Sequence, residues 1–344
     1  MTSLTTVSRT DLPVDLAPAT GRTRTPMMLA LGVLGAALAI RFHDQLIAGY
    51  QAIVGSDRRM ALDIDLLGVH LYGRSVFYMW VTVSLLAIGG VAVLASRKRE
   101  LIQKWTTWAM IAMVVGIPFW LGMGTTAVLA AALAVVAVLE YSRLVKLTRA
   151  DTGLLIALAV AFPMVAWLRP SSLMTLALVA ALVAALPSVL GGDIEHGTRR
   201  AAFTAFGSIW ICWSLSLLVV HWPQAFVLFF AVAVTDVSAW CGGKGLRKFA
   251  WARRPLSPLS PNKTIGGLAG AVMGAVLVLT LLGTISVGLV IAVAFGGVFG
   301  DLLESMIKRQ AQVKDAGDWL PGFGGLLDRI DSLLLVLPLA LLLG

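Results

Sequence analysis

Apolar runs of about twenty residues follow one another along most of this chain, broken by short basic loops, and that pattern leaves few folds open. A bilayer core is crossed by about 20 consecutive apolar residues in a helix. Runs of this kind fall near 27–47, 75–96, 105–122, 125–142, 152–168, 172–190, 201–221, 224–241, 264–283, 285–302 and 328–344. The first is interrupted by Arg41, His43 and Asp44, and the last is short. Only 13% of the 344 residues are charged, against about 25% in soluble domains. The expected fold is all-α: a polytopic membrane protein with about 10–11 transmembrane helices and its main polar segment on the cytoplasmic side.

Loop charge sets the expected orientation, because cytoplasmic loops collect Lys and Arg. Arg97, Lys98, Arg99 and Lys104 form one basic loop, Arg143, Lys146 and Arg149 the next, and Arg199 and Arg200 another. The stretch from Gly242 to Lys263 holds six Lys/Arg and no acid. Alternating spans put these loops on one side, together with the amino terminus and the charged segment 303–331. The loops opposite, such as His221–Gln224, are nearly uncharged; the mixed-charge stretch 42–74 breaks the pattern. The net charge of +9 is thus accounted for by loops facing anionic membrane lipids, and no nucleic acid partner is expected. Residues 1–26 are polar and carry Pro13, Pro18 and Pro26, which reads as a disordered cytoplasmic tail. The apolar pattern starts at Met27 with no small-residue cleavage site after it, so a cleaved leader is not expected. Residues 27–225 read as amino-terminal transmembrane helices and 226–344 as a carboxy-terminal transmembrane region that holds the densest polar segments.

Three polar constellations sit among these runs. The densest is Ser305–Asp331, SMIKRQAQVKDAGDWLPGFGGLLDRID. Charge beside a bilayer is expensive and points to chemistry or an ionic ligand. Asp301, Ser305 and Lys308 follow i, i+4, i+7 spacing and share a helix face. Asp328 and Asp331 share another. Between them lie Lys314, Asp315 and a turn with Gly322, Gly324 and Gly325. Glycines admit phosphate oxygens to the backbone, and a helix amino terminus favours anions. Carboxylates, lysines and such a turn suit a magnesium–polyphosphate ligand; the plain alternative is a charged loop with snorkelling side chains. Asp236, in AVTDVSAWCGGKG, reads either as a cation ligand or as an interfacial helix-end carboxylate, with the glycines after it ending the helix. In Ser257–Thr264, Ser260, Lys263 and Thr264 either bind phosphate or cap the next helix. Neither GxxxxGK[ST] nor HExxH occurs, and the two cysteines and four histidines have no metal-ligand spacing.

Taken in order, the three constellations resemble the phosphatidate cytidylyltransferases (CDP-diacylglycerol synthases). That family carries S-x-x-K-R-x4-K-D-x-x-x-x-[LI]-P-G-H-G-G-x-x-D-R-x-D, and nearly every fixed position stands in 305–331. T-D-V-S-A-W-C-G-G-K resembles the family's A-D-x-x-A-Y-x-x-G-R, and Ser260–Thr264 resembles S-P-x-K-T. The resemblance covers about 230–335. Two positions depart: Phe323 replaces the histidine of P-G-H-G-G, and Gly266 replaces the glutamate after S-P-x-K-T-x. Phenylalanine can neither donate a hydrogen bond nor take a proton.

The resemblance implies transfer of a cytidylyl group from CTP to phosphatidate, with Mg2+ as cofactor and room for a second cation. It implies Asp301, Asp315, Asp328 and Asp236 as metal ligands, and Asp315, Lys314, Lys308, Asp328 and Asp331 as catalytic residues. Ser260, Lys263, Thr264, Arg309, Gly322, Gly324, Gly325 and Arg329 are implied to bind substrate. It also implies a homodimer in the inner membrane with its site facing the cytoplasm. A nucleotidyltransferase for another lipid phosphate, a non-catalytic paralogue and a transporter remain as alternatives; a transporter would be supported by inverted repeats, and none is found.

Overall fold

A computed structural model describes residues 64–66, 69–71, 73–96, 99–222, 224–317 and 324–344. The expected tail 1–26, the span 27–47, and Gly322 and Phe323 lie outside the described residues. Apart from one antiparallel pair, β1 (Ile64–Leu66) with β2 (Val69–Leu71), the described chain is helical. α1 (Gly73–Ser96), α2 (Arg99–Leu121), α3 (Met123–Leu144) and α4 (Arg149–Leu168) come first. A 3-10 turn at Pro170–Ser172 leads into α5 (Leu173–Val183) and α6 (Leu186–Leu190). α7 (Gly197–Gly207), a π turn at Ser208–Trp213 and α8 (Ser214–Val220) form one continuous span. α9 (Ala225–Gly245), α10 (Ile265–Leu281), α11 (Val287–Gln310) and α12 (Leu327–Leu343) complete the chain.

Among the described residues six stretches are long and apolar enough to cross a membrane: 123–144, 149–168, 170–190, 197–220, 225–245 and 287–310. The chain is an integral membrane protein. Its outward faces carry large apolar side chains, including Leu178, Leu182, Leu190, Val237 and Val287, as a lipid-facing surface requires. Alternation of the spans gathers the connections 145–148, 191–196 and 246–264, with the described stretches 311–317 and 324–326, at one end of the bundle. There Arg200, at the start of α7, donates to Asp151 of α4 (2.8 Å), to Asp193 (2.6 Å) and to Thr148 (2.8 Å). Thr148 and Asp151 also form a reciprocal capping box that starts α4.

Two helix pairs carry the polar residues, and both pack through glycine. α9 lies along α10, and α11 lies along α12. A Cβ at Gly242 would sit 2.6 Å from the Gly266 carbonyl oxygen and from the Gly270 Cα. At Gly300 it would sit 2.5 Å from the Asp331 carbonyl oxygen. Without a hydrophobic effect in lipid, helices associate by such close backbone approach.

Two expected boundaries differ. Gly242 and Gly243 do not end α9; they are the contact surface that lets it continue to Gly245 against α10. α11 runs eight residues past the expected Leu302, to Gln310. At about 1.5 Å per residue its 24 residues span roughly 36 Å, more than the bilayer core. Its polar end therefore lies at the interface, and the ion pairs described below neutralise it.

Candidate active site

The polar end of α11 organises the site. Lys308, only 14% exposed, donates to Glu304 one turn earlier (2.6 Å) and to Asp328 at the start of α12 (2.7 Å). The other oxygen of Asp328, Oδ2, accepts the backbone N–H groups of Ala316 and Gly325, each at 2.8 Å. Asp328 thus folds the signature segment back onto α11: one carboxylate ties a lysine, the residue after Asp315 and the end of the glycine turn. Gly324, at φ 77°, occupies the left-handed region, and a Cβ there would stand 2.9 Å from Asp328 Oδ2 and 3.6 Å from the Asp315 Cβ. Only glycine fits between those acids in this conformation. Asp315 and Lys314 are exposed next to this knot, as are Arg309 and Arg329.

A second group lies one turn deeper. Lys263, entering α10, pairs with Asp301 of α11. Asp236 of α9 and Asp331 of α12 lie in the same electrostatic neighbourhood as Asp301 and Lys263. Asp236 points at α11, where a Cβ on Gly297 would be 3.9 Å from its Oδ1. Asp331 is buried and accepts the N–H of Ser332 (2.8 Å), while the Ser332 hydroxyl donates to the Gly297 carbonyl (3.0 Å). Ser305 donates to Asp301 at 3.4 Å. Residues from three helices and the turn before α10, in three separated stretches of sequence, therefore meet at one end of the bundle.

The spacing Asp301, Ser305, Lys308 does form one helix face, but the partners differ along it. Asp301 meets Lys263 and Ser305, whereas Lys308 meets Glu304 and Asp328. Thr264 caps α10, its Oγ1 accepting the N–H of Gly267 at 3.2 Å. Ser260 belongs to a closed turn: its carbonyl accepts the Lys263 N–H at 3.0 Å, and the Lys263 carbonyl accepts the Leu256 N–H at 2.8 Å. The Gly325 N–H is engaged by Asp328.

Two acids join the site that the sequence reading did not single out. Glu304 is 1% exposed, and its Oε1 has no hydrogen-bond partner among the described residues. Its position four residues before Lys308 was the available signal. Glu140, in α3, is 2% exposed and accepts the N–H groups of Leu326 (2.9 Å) and Leu327 (2.7 Å). It is the lone charge between Met123 and Ser142, and an intramembrane acid of that kind is a cue by itself.

Among the described residues no three His, Cys, Asp or Glu side chains already converge as a metal cage. The donor set is nevertheless all oxygen, and it gathers Asp236, Asp301 and Asp331 around one lysine, with an unpartnered Glu304 oxygen close by. Magnesium takes such hard ligands, commonly one or two carboxylates completed by water and substrate phosphates. By donor chemistry, rather than by a preformed cage, such an oxygen set would suit a magnesium ion whose shell a phosphate ligand and water would finish.

A helical membrane bundle with a carboxylate–lysine cluster built from these three motifs is the class of protein that the fold and site define. The model of the cytidylyltransferase family matches residues 102–344, and the chain belongs to that family. It is 42% identical over 137 residues to a phosphatidate cytidylyltransferase of Helicobacter pylori, covering 38% of this chain and 44% of that protein. It is 40% identical over 123 residues to the Bacillus subtilis phosphatidate cytidylyltransferase (32% and 44%). For that of Brucella abortus the figures are 37% over 177 residues (47% and 63%). In each case the matched stretch covers less than two thirds of the relative's own length.

Proposed function

We propose that this chain transfers the cytidylyl group of CTP to phosphatidate, giving CDP-diacylglycerol and pyrophosphate. The observation that carries the reading is the meeting of Asp236, Lys263, Lys308, Asp328 and Asp331, drawn from three signature stretches, with Asp301 just before the last of them, at one end of α9–α12. Family membership and the names of the relatives point the same way.

In the reaction an oxygen of the lipid phosphate attacks the α-phosphorus of CTP. The bond from that phosphorus to the bridging oxygen of the β-phosphate breaks, and pyrophosphate leaves with the electron pair. Such transfers ask the protein for position and charge compensation more than for covalent work. Lys263 and Lys308 carry the positive charge nearest the carboxylates, and Asp301, Glu304 and Asp328 hold their ammonium groups in place. Exposed Lys314, Arg309 and Arg329 lie on the aqueous side, where the triphosphate arrives. Asp236, Asp301 and Asp331, with Asp315 and Asp328 alongside, would hold Mg2+, which when bound offsets repulsion between the two phosphates. The basic loops support a cytoplasmic orientation for this end, and the same reading has the protein in the inner membrane, with CTP coming from water while the acyl chains stay in lipid. A homodimer belongs to the same reading.

The test is a direct assay in mixed micelles with phosphatidate, labelled CTP and magnesium, reading CDP-lipid and pyrophosphate. Wild-type protein is expected to form both, and Asp315→Asn to lose turnover while remaining folded. Turnover near wild type in that variant would remove Asp315 from the chemistry. Folded wild-type protein that makes product only from a different lipid phosphate would reassign the substrate.

A further inference from the structure

Glu140 sits in the last two turns of α3, 186 residues before Leu326, in a part of the chain that the signature motifs do not reach. Its two oxygens are used separately: Oε1 accepts the Leu326 N–H (2.9 Å) and Oε2 the Leu327 N–H (2.7 Å). The pocket around the carboxylate is built from glycine. A Cβ on Gly325 would stand 2.7 Å from Oε1, and one on Gly317 would stand 2.8 Å from it. Gly317 and Gly325 flank the signature turn, so both ends of that turn close on a single carboxylate. The Gly325 N–H goes to Asp328, so three successive amides at the start of α12 are met by acids of the protein itself. A carboxylate there is favoured by the helix dipole as well as by the hydrogen bonds.

We infer that Glu140 is a positioning residue for the reaction proposed above: it fixes the entry into α12, and through it the placement of Asp328 and Asp331 against α11. The amides at this helix start are taken by Glu140 and Asp328, so the incoming phosphates are met by the lysines rather than by the start of α12. The inference rests on the proposed function only for its catalytic consequence. The anchoring itself is a property of the fold.

The experiment compares Glu140→Gln and Glu140→Ala with wild type, in full-length protein reconstituted with lipid. Glu140→Gln keeps the shape and loses one of the two acceptors, turning an NH2 group toward a backbone N–H. Amide hydrogen exchange is expected to accelerate at Leu326 and Leu327 in both variants, more in Glu140→Ala, with α3, α4 and α9 unchanged. In the CTP and phosphatidate assay, kcat is expected to fall about 10- to 100-fold in Glu140→Gln, as an ångström-scale misplacement does. KM for CTP is expected to move less than about threefold. Unchanged exchange at Leu326 and Leu327 would overturn the anchoring, and so would faster exchange through the whole bundle in both variants, which would make the role purely one of stability. Wild-type kcat in Glu140→Gln would overturn the positioning role. The exchange measurement needs no turnover, so it decides the anchoring even if wild-type protein proves to act on another substrate.

Discussion

Lys308 stands between two acids that are 1% and 7% exposed, so it is the counter-ion of a buried cluster as well as a candidate for phosphate. Removing one partner of a buried pair leaves uncompensated charge and costs about 3–5 kcal/mol. Lys308→Met keeps the apolar stem and removes the ammonium. It is expected to lower thermal stability by an amount of that order, with part of the loss recovered in the double variant with Glu304→Gln. An unfolding midpoint equal to wild type would show that the acids are neutralised by other means. The residue scale is also where the sequence was read unevenly. Lys308, Asp328 and Asp331 were visible because they stand in one dense segment. Glu140 stands in the sequence only as a lone acid within a span, because what makes it part of the site is a contact across 186 residues that no local pattern encodes. Thr264 had two readings in the sequence, and the geometry adds the cap on α10 to its account.

At the scale of helices, hydropathy placed the described spans well, because the need to bury about twenty apolar residues is a one-dimensional property. It failed where packing decides. α9 passes through Gly242 because α10 comes close enough there to exclude any side chain, a fact about a neighbour rather than about the run itself. The same interface bears on Gly266, where relatives of the resembling family carry glutamate. The Gly266 N–H donates to the Ala252 carbonyl at 3.0 Å, and a Cβ on Gly266 would lie 3.0 Å from the Ala252 Cβ and 3.3 Å from the Leu246 Cβ. The stretch following α9 thus fills the place a longer side chain would need. Gly266→Glu is expected to destabilise the protein by about 1–3 kcal/mol, the usual effect of overpacking, rather than to restore a lost ligand. Gly153→Ala, at a helical glycine with nothing within 4 Å of its added Cβ, is the control expected to hold its unfolding midpoint. A stable Gly266→Glu variant would mean that the 246–252 stretch yields easily.

For the whole molecule, the question is which way the bundle faces. Lys/Arg counting, on Arg143, Lys146 and Arg149, on Arg199 and Arg200, and on the six of 242–263, predicts that these stretches share one side with the charged carboxy-terminal segment, and contacts formed independently of that count agree on their being at one end. Glu140, near the end of α3, reaches Leu326; Lys263, after α9, reaches Asp301; Arg200, opening α7, reaches Asp151 at the opening of α4. Hydropathy supplies the alternation and the contacts supply its consistency, but the absolute direction comes only from charge, since cytoplasmic leaflets are anionic. Cysteine labelling decides it. With Cys212 and Cys241 replaced by serine, a single Gln312→Cys at an exposed position beside the site is expected to react with a membrane-impermeant maleimide only when the cytoplasmic face is accessible. Gln224→Cys, exposed at the opposite end, is expected to label from the other side. The reverse pattern would place the carboxylate–lysine cluster away from cytosolic CTP. That would exclude the proposed reaction on supply alone, whatever the geometry of Asp301, Asp328 and Asp331.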